Sequence, residues 1–340
     1  MKKTFATILF YSCSSVIINC YSQTNGEYEA MATKKYILQD YQEAITDYSQ
    51  AIKINPNNAD DYFNRGLCKN LLNNDTGAIS DYDMAIAINP YYADAFCSRG
   101  LSKSLLKNDI GAMSDYNMAI SLNTKFGEAY NNRGLLKYQQ KDFHGAIADF
   151  TTAITINPKH VSAYYNRGNS KGQLEDYRGA ISDYDRAIAI NPKLANAYNN
   201  RGRAKDELQD YQGAVLDYTE AIGLNPNFVE SYYGRGHSKI QLVDYQGAIA
   251  DFTKVIMIKP DLAEAFYSRG YSKGQLEDYP GAIEDYTMAI TINPNYADAY
   301  INRGLLRVTI NDKDNGCLDL RKAQNLGVSK ADELTHKYCH

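Results

Sequence analysis

The pair asparagine-proline returns along this chain at intervals of 34 residues or a multiple of 34, and no other feature restricts the possible folds so strongly. It stands at Asn55-Pro56, Asn89-Pro90, Asn157-Pro158, Asn191-Pro192, Asn225-Pro226 and Asn293-Pro294, with Lys259-Pro260 in the same series and Asn123-Thr124 where only the proline is lost. A second marker, Arg-Gly, keeps the same phase from Arg65-Gly66 to Arg303-Gly304. Within the repeat 161–194, apolar and small residues fall at Tyr164, Gly168, Leu174, Tyr177, Ala180, Ile181, Tyr184, Ala187, Ile188 and Ile190. That spacing predicts two successive amphipathic helices. Glu175-Asp176 marks the turn between them, and Asn191-Pro192 ends the second, because proline disfavours helix in the residue before it.

Each predicted helix is about 13 residues, too short to persist alone in water. A repeat of this kind becomes stable only when neighbours cover each other's apolar faces, and the two ends then require caps. The sequence therefore divides into repeats at 25–58, 59–92, 93–126, 127–160, 161–194, 195–228, 229–262 and 263–296, a degenerate ninth over 297–328, and a C-terminal cap over 329–340. Residues 1–23 stand apart. Met1-Lys2-Lys3 followed by the apolar run Phe5 to Ile18 reads as a secretory signal peptide, with cleavage near Cys20 to Gln23. An exported protein of a cell envelope, periplasmic or extracellular, is the localisation this predicts. A lipid anchor on Cys20 is a second reading, although Ile17-Ile18-Asn19 before it fits an acylation signal poorly. No run is long enough to span a membrane.

The repeat resembles the tetratricopeptide family, since Tyr164, Gly168, Leu174, Tyr177, Ala180, Tyr184, Ala187 and Pro192 match its order of aromatic, Gly, large, aromatic, Ala, aromatic, Ala, Pro. The resemblance covers nearly all of the chain after residue 24. It implies an all-α fold, a right-handed superhelical solenoid of about nine helix-turn-helix hairpins, whose first helices form a concave wall. Carried over by position, that wall presents Tyr165, Asn169, Asn199, Arg203, Tyr233, His237, Tyr267 and Tyr271 as the groove for a protein or peptide partner. Asn169, Arg203, His237 and Tyr271 replace the Leu67, Leu101, Leu135 and Leu305 of the flanking repeats, and variation inside a strict repeat is where a ligand would be read. Asp60, Asp94, Glu128, Glu230, Glu264 and Asp298 edge the wall, which suits a partner with basic or amide groups.

Two departures from the family pattern concern charge: an Arg series at Arg167 and its equivalents, and a Lys series at Lys171 and its equivalents. Asp recurs on the second helix from Asp47 to Asp319. The first repeat keeps Asp47 but has Met31 in place of Arg, so a ladder running from each Asp to the Arg of the next repeat is expected, Asp183 to Arg201 for example.

Catalysis finds little support. The glycines are periodic and form no phosphate loop, and His144, His160, His237, His336 and His340 are scattered. No cofactor or metal is expected, and a net charge of −4 disfavours nucleic acid. Cys317 and Cys339 bracket the last hairpin, where a disulfide would stabilise the end and two unpaired thiols are the alternative; Cys68 and Cys97 read as packed thiols. The function expected is a non-catalytic interaction scaffold. A structural or assembly component of a bacterial cell envelope and an unrecognised enzyme are the alternatives, the latter having only the tail after Gly327 to build on.

Overall fold

A computed structural model describes residues 24–339. The signal segment 1–23, with Cys20, and His340 lie outside the described residues. Nineteen helices and no strand are found among the described residues. They form two compact bodies, one up to Ala163 and one from Tyr164. In the first, hairpins pair α1 (Asn25–Ile37) with α2 (Tyr41–Ile54), α3 (Ala59–Leu71) with α4 (Asp75–Ile88), α5 (Ala93–Leu105) with α6 (Asp109–Leu122), and α7 (Gly127–Gln139) with α8 (Phe143–Ile156). The second begins within α9 (Val161–Gln173) and continues through α10 (Tyr177–Ile190). Its later hairpins are α11 (Ala195–Glu207) with α12 (Tyr211–Leu224), α13 (Val229–Gln241) with α14 (Tyr245–Ile258), α15 (Ala263–Gln275) with α16 (Tyr279–Ile292), and α17 (Ala297–Thr309) with α18 (Lys313–Asn325). A last helix, α19 (Ser329–Tyr338), packs on α18.

The turns inside the hairpins share their local chemistry, except that Asp312 in the last one makes no cap hydrogen bond from its side chain. One residue takes a left-handed conformation, from Gln39 (φ 64°) to Asn311 (φ 66°), which reverses the chain after the first helix. The next residue caps the second helix: the Asp176 carboxylate accepts from the Gly179 N–H at 2.9 Å, and Asp210, Asp244 and Asp278 repeat the bond. Glycine at that third helical position lets the cap sit close: a Cβ on Gly179 would lie 2.1 Å from the Asp176 carboxylate, and where Glu43 takes the position in the first repeat the bond to Asp40 lengthens to 3.3 Å. Gly168 answers a second contact, since its Cβ would lie 2.7 Å from the Tyr184 ring of the facing helix.

The core is a column of small and aromatic residues. Ala180, Tyr184 and Ala187 on α10 are buried, and their equivalents Ala78, Tyr82 and Ala85 are fully so. Alanine lets the two helices of a hairpin approach, and the aromatic ring fills the space beneath the glycine of the hairpin's first helix. In the last hairpin Leu320 takes the ring's place and is fully buried. Cys317 and Cys339 are joined as a disulfide with their Cα atoms 5.6 Å apart, fastening α18 to the end of α19, while Cys68 and Cys97 are free and buried. No helix of the described residues is long and apolar enough to cross a membrane.

Candidate functional site

The charge ladder corrects the expected direction. Arg201 pairs with Asp217 of its own hairpin, not with Asp183: Nε donates at 2.9 Å and Nη2 at 2.5 Å, while Lys205 lies 2.8 Å from the same carboxylate. Asp183 is held in the same way by Arg167 and Lys171. An antiparallel hairpin sets these positions, sixteen residues apart, directly opposite each other. The junction between repeats is bridged by the remaining Arg nitrogen, which donates to the polar residue two places after the Asp of the preceding repeat. Arg65 reaches Ser49, Arg99 reaches Asp83, Arg201 reaches Asp185 and Arg269 reaches Thr253. Each guanidinium also lies over an aromatic ring of its own helix, Arg201 at 5.4 Å from the Tyr198 centroid. Burial alone would lower the Arg201 pKa, and hydrogen bonds and charge from Asp217 and Asp185 outweigh it, holding the group above its ordinary value. Met31 in the first repeat is compensated by Lys35, 2.7 Å from Asp47.

On the first-helix face of the second body, several of the residues carried over by position come together. Asn199 and Arg203 of α11 and Tyr233 and His237 of α13 line one cavity of about 630 Å³. His237, Tyr267 and Tyr271 line a smaller one of about 230 Å³. Six of the eight residues carried over by position thus border two cavities that share His237. Tyr165 and Asn169 border neither. Tyr165 packs on Ala180 and Tyr184, and its hydroxyl accepts from Asn200 at 3.1 Å; Asn169 accepts from Asn200 and from the Tyr184 hydroxyl, both at 2.9 Å.

Even within the cavities the aromatic residues are partly committed to packing. Tyr267 stacks on Tyr296 at 5.0 Å and accepts from Asn302, and Tyr233 meets His237 and Phe252 edge-on. Burial lowers the His237 pKa, which keeps the imidazole neutral near pH 7. Of the acidic edge, Asp60 accepts from the Tyr92 hydroxyl at 2.7 Å and Glu128 lies 3.3 Å from His160, so neither is free for a ligand. Glu230 and Glu264 are exposed at the large cavity.

The larger cavity also includes residues that position alone did not single out: Asp206, Glu207, Tyr218, Val229, Gly234, Lys259 and Leu262. A signal for two of them exists in the sequence. Asp206 is the sole carboxylate at a place held elsewhere by Tyr36, Asn70, Ser104, Tyr138, Gly172, Ile240, Gly274 and Val308, and Gly234 is the sole glycine at a place mostly Asn or Ser.

Comparison with known proteins bears on the repeats. The TPR repeat family matches residues 34–68, and the tetratricopeptide repeat matches 127–160, 161–194, 195–228, 229–262 and 263–296. A search of curated proteins gives no match. Among solved structures, the C-terminal part of a TPR repeat-containing protein from Cytophaga hutchinsonii is 18% identical with a TM-score of 0.56, over 71% of this chain and 98% of that one. A tetratricopeptide repeat protein from Parabacteroides merdae is 19% identical with a TM-score of 0.52, over 73% and 99%. YrrB, described as a TPR protein with an unusual peptide-binding site, is 24% identical with a TM-score of 0.51, over 54% and 95%. These likenesses concern the fold. Stacked hairpins and matched repeats together show that the chain belongs to the tetratricopeptide repeat family.

Proposed function

We propose that this protein is a non-catalytic interaction scaffold that holds a segment of a partner protein against the first-helix face of residues 195–271. The observation that carries this reading is the pair of adjoining cavities that share His237, at the repeats where polar and aromatic residues replace leucine. The Arg, Lys and Asp series is largely buried in pairs within each hairpin, so recognition is sought in the side chains that line these cavities. Export is part of the proposal. It rests on the Met1 to Ile18 pattern, and the Cys317–Cys339 disulfide supports it, because such bonds persist mainly in oxidising compartments.

A pull-down from the native envelope or secreted fraction tests the reading. The parent is compared with a variant carrying Arg203→Ala, Glu230→Lys and Glu264→Lys, three exposed positions whose change should leave helicity and melting temperature as they were. A partner identified with the parent and lost from the variant supports the groove. Equal capture by both moves the contact to another face.

A further inference from the structure

The large cavity owes its shape to three residues that depart from the repeat together. In the first and fifth repeats the core tyrosine hydroxyl meets a side chain of its own first helix, Tyr48 with Thr33 at 3.3 Å and Tyr184 with Asn169 at 2.9 Å. In the sixth, Tyr218 turns elsewhere and donates to Asp206 at 2.7 Å, nearly one turn further along α11. That orientation requires Gly234 on the next repeat, for a Cβ there would lie 2.5 Å from the Tyr218 ring and 2.8 Å from its hydroxyl. Ser238, one turn after Gly234, donates to the other oxygen of Asp206 at 2.7 Å. Three helices therefore fix one carboxylate at the wall of a cavity.

The charge of the cavity decides what it would hold. Its lining carries four carboxylates, Asp206, Glu207, Glu230 and Glu264, against two cations, Arg203 and Lys259, and His237 is neutral by burial. An ionised carboxylate offers about four lone-pair sites, of which the hydroxyls of Tyr218 and Ser238 occupy two on Asp206. Burial raises the Asp206 pKa even against those two bonds, so an added positive charge beside it would favour the ionised carboxylate. Tyr218 and Tyr233 add aromatic surface, which attracts a cation.

We propose that this cavity is the subsite for a cationic side chain, arginine or lysine, of the segment held in the groove, with the Asp206 carboxylate as its anchor and Glu230 and Glu264 at its mouth. The inference rests on the groove reading above and names the partner's chemistry. A terminal or side-chain carboxylate is disfavoured, since it would meet an excess of negative charge beside a desolvated Asp206. Lining of about 630 Å³ is of the size that encloses a side chain with part of its backbone.

Fluorescein-labelled random peptide pools, each with one fixed residue (Arg, Lys, citrulline, Glu or Phe), test it by anisotropy against the full array. Arg and Lys pools should bind at least about tenfold tighter than the citrulline pool, because citrulline keeps the shape of arginine without its charge. Asp206→Asn should abolish that preference while leaving the helical signal intact. Gly234→Ser, which places at this position the side chain found at Ser268, should do the same by displacing Tyr218. Equal binding of Arg, Lys and citrulline pools, or an Arg preference that survives Asp206→Asn, overturns this inference and leaves the groove reading standing if Glu230→Lys with Glu264→Lys still weakens binding. Failure of every pool to bind overturns both. Spermidine competing as well as the Arg pool at equal concentration would assign the cavity to a free polyamine and overturn the partner side chain.

Discussion

Removing one member of an Arg-Asp-Lys cluster should have an effect that depends strongly on which member is removed. Asp217 is 2% exposed and receives two bonds from Arg201 and one contact from Lys205. Asp217→Ala removes the carboxylate that Arg201 and Lys205 share, leaving the two cations close together, mostly out of water, with Asp185 still bound to Arg201, and breaking a buried pair in this way costs about 3–5 kcal/mol. Arg201→Met recreates the arrangement of the first repeat, where Met31 leaves Asp47 to Lys35 alone, and Lys205 remains to hold Asp217. Its cost should stay near about 1–2 kcal/mol, from lost hydrogen bonds including the one to Asp185. Urea denaturation followed by circular dichroism gives both values, and amide exchange localises them to α11 and α12. The double variant supplies the coupling energy, expected at about 1–3 kcal/mol. An Asp217→Ala cost below about 1 kcal/mol, or equal costs for the two single variants, would refute the reasoning and leave a solvated charge stripe.

Asp61, 1% exposed where most repeats have Ala, has its carboxyl pushed up from 3.8 to about 7, by burial first and then by the nearby Glu29 charge. Its folded pKa exceeds the unfolded one, so the contribution is complete below about pH 4 and lost as pH rises through about 7, by up to about 4 kcal/mol. Asp61→Asn should therefore gain stability relative to the parent between pH 5 and pH 8 in urea melts, and parallel profiles would exclude the mechanism. Val243 holds the left-handed turn position at φ 63°, which a β-branched residue tolerates badly. Val243→Asn, the residue at Asn73 and Asn311, should raise stability by about 1 kcal/mol in thermal melts. Reducing Cys317–Cys339, or Cys339→Ser, should lower the stability of α18 and α19 by about 3 kcal/mol on the chain-entropy model, read as faster amide exchange confined to that end.

The period of 34, the two helices per repeat and the place of each turn were determined by the sequence itself, because Asn-Pro, Asp at the cap and apolar spacing act within a few residues of one another. The partner of each Arg was not. Met31 beside a retained Asp47 suggested a ladder between repeats, yet Lys35 carries that charge, and the antiparallel hairpin brings Arg201 and Asp217 face to face across sixteen residues. The wall was legible in part for the same reason: position along a helix identifies Arg203, Tyr233 and His237, but not that Tyr165 and Asn169 are taken up by Asn200 and Tyr184. Asp206 and Gly234 each break their column of the repeat in plain view. Only tertiary structure decides that those breaks concern one ring, since Tyr218 stands between them on a third helix and its orientation is set by the space that Gly234 leaves and the acceptor that Asp206 provides.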